Sequence, residues 1–87
     1  MRTFRELDER AGLPKGSAFR AFKRLEPGLH QGRDYCLLRA GSGDEAKIEA
    51  LRGENRVYRN SINIVLVDDA LAERLLKHLS GTLEQGQ

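Results

Sequence analysis

Between Leu7 and Leu25 the chain reads LDERAGLPKGSAFRAFKRL, two short helical patterns parted by Gly12 and Pro14. This break constrains the fold more than any other stretch. Gly12 stands where a helix end favours left-handed backbone, and Pro14 cannot continue a helix interior. The stretch therefore makes two short helices joined by a turn. Ahead of it, Thr3 and Glu6 have capping-box spacing, in which each side chain serves the other residue's free backbone N–H. Phe4, Leu7 and Ala11 form the first buried stripe. In the second pattern Ala18, Ala21, Phe22 and Leu25 share one face at i, i+3, i+4 and i+7. Lys15, Ser17, Arg20, Lys23 and Arg24 fall away from it, with Phe19 between the faces. Ser17 is a candidate N-cap, and Pro14 is the earliest start open to this helix. Glu26-Pro27-Gly28 ends it.

The remainder reads as a small sheet and two further helices. Leu29 belongs to a loop but reaches back to the core. Asp34–Arg39 is a strand, with Tyr35 and Leu37 on one side and Cys36 and Leu38 on the other. After the Ala40–Gly43 break, Ser42 or Asp44 caps a short helix over Glu45–Arg52, closed by Gly53. Asn55–Asn60 and Ile62–Val67 read as two strands joined through Asn60-Ser61. The unbroken apolar run Ile64–Val67 predicts a central strand covered on both sides. Asp68-Asp69 then start a helix. Leu71, Leu75 and Leu79, with Ala72 and Leu76, give it a wide apolar face, and Gly81 is expected to end it. The expectation is an α+β fold: one domain over residues 1–80, with about three antiparallel strands, and a flexible tail over 81–87.

Size and charge narrow the function. A chain of 87 residues buries roughly 60–65% of its unfolded surface, enough for one small core and no deep enclosed active site. No apolar run approaches the ~20 residues that span a bilayer. The N-terminus MRTFREL lacks the apolar segment of a secretory signal. A cytoplasmic protein is expected. The single cysteine, Cys36, excludes an internal disulfide and a cysteine-based zinc site. Residues 1–39 hold nine Lys/Arg against five acids, and residues 40–87 six against eight. The excess of positive charge in the first half points to an anionic partner.

The stretch Leu7-Asp8-Glu9-Arg10-Ala11-Gly12-Leu13-Pro14-Lys15-Gly16-Ser17-Ala18-Phe19-Arg20-Ala21-Phe22 resembles the helix-turn-helix of bacterial and phage repressors. Those sequences commonly read L-A-x-x-A-G-V-S-x-x-T-V-S-R-V-L. It also resembles the first part of excisionase-type and MerR-type winged helices. The pattern covers under a quarter of the chain. One position departs: the family usually has Ala where Asp8 stands, because that position packs against the second helix. Asp8 must point outward, cap something or signal a different interhelix angle. The resemblance implies a double-stranded DNA-binding regulator of the small repressor or excisionase kind, with a recognition helix over residues 15–25 in the major groove.

On that reading Gly16 and Ser17 let phosphate approach the helix N-terminus, where free N–H groups and the dipole favour an anion. Arg20 is the candidate for a guanine edge, which a guanidinium can bond in two places. Lys15, Ser17 and Lys23 add phosphate or base contacts, and Arg24 a phosphate contact. In a winged helix the ribbon beside the recognition helix touches phosphate or the minor groove, which implicates Arg56, Arg59, Asn60 and Ser61. The Leu71, Leu75 and Leu79 face is the candidate homodimer interface, giving two recognition helices a two-fold spacing. It is equally a face for another partner. The alternative function is a small protein-interaction module, an inhibitor of a host factor from a phage or mobile element. It would use the basic helix surface or the leucine helix.

No cofactor and no enzyme chemistry are expected. His30 and His78 lack ligand-spaced companions. Asp68-Asp69 read as caps, Cys36 as a small core residue. Gly41-Ser42-Gly43 lacks the lysine and context of a phosphate loop.

Overall fold

The computed structural model describes residues 1–59 and 61–85, with side chains up to residue 80. Its elements in chain order are β1 (Arg2–Thr3), α1 (Phe4–Ala11), α2 (Ser17–Leu25), a 3-10 turn (Glu26–Gly28), β2 (Tyr35–Leu38), α3 (Glu45–Gly53), β3 (Ile64–Val67) and α4 (Asp69–Gln85). The fold is α+β: four helices and a three-stranded antiparallel sheet in the order β1-β3-β2.

Thr3 links the sheet to the first helix. It pairs with Leu66 as the last residue of β1. Its side chain accepts from the Glu6 N–H at 3.2 Å, while Glu6 Oε1 accepts from the Thr3 N–H at 2.9 Å, which closes the capping box. The Thr3 hydroxyl also donates to the Arg56 carbonyl, so this buried polar residue is satisfied on both sides. Gly12 ends α1 at φ 68°, the left-handed cap expected of it.

β3 is central and covered on both faces, which is why Ile64–Val67 carries no polar alternation. One side holds the larger core: Leu7, Ala18, Ala21, Phe22, Tyr35, Val67, Leu71, Ala72, Leu75 and Leu79, with Leu25 and Leu29 packed against it. The other side holds a smaller core of Leu38, Ile48, Leu51, Val57 and Ile64. The α3 helix supplies Ile48 and Leu51. Asp44 does not cap it through its side chain; its carboxylate accepts from the Arg39 N–H and the Ser42 hydroxyl and so closes the preceding loop.

Three expectations are corrected. First, over its described residues 55–59 the expected Asn55–Asn60 strand is irregular backbone. Asn55 takes a left-handed φ of 58°, and Val57 turns into the smaller core. Ile62 is 66% exposed and lies outside β3. The third strand is Arg2–Thr3 instead, and β3 pairs with β2 across the α3 excursion. Second, α4 continues through Gly81 to Gln85. A lone glycine costs a helix only about 1 kcal/mol relative to alanine, too little to force a stop. Third, Leu71, Leu75 and Leu79 lie inside the chain's own larger core, covered by α1, α2 and the sheet. That leucine face is not available as a dimer surface. Asp68 does act at the start of α4, its Oδ1 accepting from the Leu71 N–H at 2.7 Å.

Candidate nucleic-acid interface

The position that departs from the helix-turn-helix pattern organises the site. Asp8 is 1% exposed. Its Oδ1 accepts from the Ala18 N–H at 2.7 Å, and its Oδ2 from the Gly16 N–H at 3.0 Å and the Tyr58 hydroxyl at 2.5 Å. A carboxylate borne on α1 therefore caps α2. The need for it is local. The N-cap position of α2 is Gly16, at φ 93°, which has no side chain to satisfy the helix's first donors. Of the three roles open to Asp8, capping is the one observed, and it fixes α1 against α2. Tyr58 takes part from a loop fifty residues away. Burial first, and then the bond to Asp8, push its phenol well above the ordinary tyrosine range.

This capping corrects the expectation of an anion site at the start of α2. The Gly16 and Ala18 N–H groups already donate to Asp8, and the Ser17 N–H donates to the Pro14 carbonyl at 3.2 Å. Ser17 is not the N-cap. It is buried inside the first turn, its hydroxyl donating to the same Pro14 carbonyl at 2.8 Å. Neither Gly16 nor Ser17 holds a spare donor for phosphate there.

The side chains beyond the first turn remain outward. Ala18, Ala21 and Phe22 are buried, while Phe19, Arg20, Lys23 and Arg24 are exposed. No acidic residue occurs between Ser17 and Leu25. The exposed side chains divide into two flanks. Arg20 and Arg24 lie toward α4, around a shallow recess shared with Leu13, Ser17, Ala21, His78 and Leu79. Lys15, Phe19 and Lys23 lie toward the sheet. There they border a groove of about 480 Å³ whose apolar walls include Phe4, Phe22, Leu37 and Val65. Phe19 is 49% exposed at the rim of that groove and meets Phe4 edge-on at 6.0 Å. Lys15 Nζ sits 5.0 Å from the centre of the Tyr58 ring, and Lys23 Nζ pairs with Glu26 at 2.6 Å.

The expected wing residues separate. Arg56 turns inward: its guanidinium donates to the Met1 carbonyl at 2.8 Å and to Glu6 Oε1 at 3.1 Å, with Glu54 at 3.8 Å. It is a strut between the segment that follows α3 and α1, not a free wing contact. Burial pushes the Glu6 carboxyl up, but the Thr3 N–H and the Arg56 guanidinium outweigh it and leave Glu6 below its ordinary value. Arg59 is exposed, on the rim of a basin formed with Arg5 and Arg52. Asn60 lies outside the described residues. Ser61 lines the apolar groove.

Among the described residues no group of three His, Cys, Asp or Glu side chains is placed to hold a metal ion, and no helix is long and apolar enough to cross a membrane. No protein-family model, curated protein or solved structure matches the chain.

Proposed function

We propose that the protein is a sequence-specific double-stranded DNA-binding transcription regulator, of the small repressor or excisionase kind, acting in the cytoplasm. The observation that supports this most is the outer surface of α2. A rigidly held nine-residue helix presents Arg20, Lys23 and Arg24 outward with no acid on its length. Its angle is set by a buried cap from α1 and not by exposed contacts, so the helix can enter a groove without losing its support. Arg20 carries base-edge recognition, while Arg24, Lys23 and Lys15 contact phosphate. Two copies on one operator would have to meet through a surface other than the buried leucines.

The test is a gel shift on duplex DNA at two salt concentrations. These three phosphate contacts imply roughly a 40-fold loss of affinity between 50 and 200 mM salt. Arg20→Ala should cost about 1–3 kcal/mol on the preferred duplex and relax sequence preference, whereas Lys23→Ala weakens all duplexes alike. Absence of binding to any duplex at low salt rejects the proposal.

A second reading has its own support. The groove beside Phe19 is largely apolar and rimmed by Lys15 and the Lys23–Glu26 ion pair, a shape suited to an apolar side chain on a protein partner. Phe19→Ser would abolish binding of that kind while leaving salt-sensitive DNA binding in place.

A further inference from the structure

We infer that the basin lined by Arg5, Arg52, Asn55, Val57 and Arg59 is a binding site for a phosphate group. The basin has a volume of about 400 Å³, and no carboxylate lines it. Three guanidinium groups share it, and two are already held in place. Arg5 Nε pairs with Glu9 at 3.0 Å and its Nη1 donates to the Val57 carbonyl at 3.1 Å. Arg52 donates through Nη1 to Glu49 at 2.8 Å and through Nη2 to the Ser61 carbonyl at 2.5 Å. Held guanidinia lose little freedom when a ligand arrives. The balancing acids, Glu9 and Glu49, are largely exposed and weakly coupled to their partners. Arg52 Nε is buried and has no hydrogen-bond acceptor among the described residues. A buried N–H without an acceptor is uncommon and needs an explanation, of which an ordered water or a ligand oxygen is one. Several guanidinium forks around one basin suit the tetrahedral oxygens of a phosphate better than the two coplanar oxygens of a carboxylate.

The phosphate has two chemical sources. One is the backbone of a duplex held on α2, and this source rests on the DNA-binding function proposed above. Tyr58 joins the two places: Lys15 lies over its ring from the α2 side at 5.0 Å and Arg5 from the basin side at 5.8 Å. The other source is a free phosphorylated small molecule.

The experiment uses the whole 15N-labelled chain. Inorganic phosphate is titrated against sodium chloride of equal ionic strength, and the Nε–H signals of Arg5 and Arg52 are followed. The expected result is a saturable shift specific to phosphate, abolished in Arg59→Gln and reduced in Arg52→Lys, which keeps the charge but loses the fork. Thermal unfolding of both variants checks that the fold is retained. Duplex affinity is then measured against salt for the wild type and Arg59→Gln. A plot of log affinity against log salt that is shallower by about 1 in the variant assigns a backbone phosphate to the basin. A saturable shift with an unchanged slope supports the basin and assigns it to a free phosphorylated ligand. A wild type that binds no duplex rejects DNA binding, yet a saturable phosphate shift would still uphold the basin. Absence of both a phosphate-specific shift and a change in slope overturns the inference, even where the wild type binds duplex tightly.

Discussion

The α2 helix and the loop that follows α3 both carry arginines, and the two regions use them in opposite ways. On α2, Arg20 and Arg24 face outward because the 3.6-residue period leaves them no other direction while Ala18, Ala21 and Phe22 are buried. In the loop no period applies. Arg56 is drawn inward to Glu6 and the Met1 carbonyl, while Arg59 stays on the surface three residues later. Charge on a regular element is sorted by its neighbours in sequence. Charge on irregular backbone is sorted by partners fifty or more residues away. Asp8 and Tyr58 bring the two regions together, since the carboxylate that starts α2 is also held by the loop.

The largest effect is expected where the regions join. Asp8→Ala removes an acceptor used by two backbone N–H groups and a phenol, and leaves them buried without a partner. The expected loss of stability is about 3 kcal/mol, measured by urea unfolding. Asp8→Asn keeps one acceptor oxygen and should lose roughly half as much. Alanine stands at this position in the repressor pattern, so a near-neutral Asp8→Ala would mean that α2 needs no cap from α1. The contrast between the regions would then lose its structural link.

Much of the fold was legible because it is local. The capping box at Thr3 and Glu6, the left-handed Gly12, the faces of α2, the two-sided β3 and the cap at Asp68 each follow from residues within a few positions of one another. The misread strands share one cause. Residues 55–59 include β-forming Val57 and Tyr58, but Val57 is required by the core under α3 and Tyr58 by Asp8, so these residues loop instead of pairing. Arg2–Thr3 is too short to announce a strand and is one only because β3 has a free edge there. Of the candidate site, the outward basic residues of α2 were legible from period alone. Nothing in the order of residues places Tyr58 on Asp8 or Arg5 beside Arg52. The one available signal was Asp8 itself, a charged residue at a packing position.

A smaller effect distinguishes the two uses of arginine directly. Arg56→Ala should lower stability by about 1–2 kcal/mol, because its bonds to a carbonyl and a half-buried carboxylate are lost. Duplex affinity, measured under conditions where both proteins are folded, should not change. Arg24→Ala should do the reverse, weakening duplex binding while leaving stability within about 0.5 kcal/mol. If Arg56→Ala weakens DNA binding without a stability cost, the loop is a wing after all and the contrast fails.

Gly12→Ala sharpens the regular half of the comparison. At φ 68° the added Cβ meets no atom within 4 Å, so the cost is conformational alone. About 1 kcal/mol is expected, from the left-handed strain. A much larger loss in thermal unfolding would show that the turn between α1 and α2 is held by packing and not by the glycine.

The smallest effects are those of pH, and they probe the loop's two attachments separately. Glu6 titrates lower in the folded chain than its ordinary 4.5. The unfolded chain therefore binds the extra proton first as pH falls, and the stability Glu6 contributes is present above about 4.5 and lost below it. Tyr58 works from the other side. Its folded value is raised, so the unfolded chain loses its proton first once pH passes 10, and stability falls as pH rises further. Arg56→Gln should flatten the acid limb of a stability-against-pH curve and leave the alkaline limb intact. Tyr58→Phe should flatten the alkaline limb and leave the acid one. A variant that altered both limbs equally would show that the loop's two attachments act as one unit, with Arg56 and Tyr58 no longer separable.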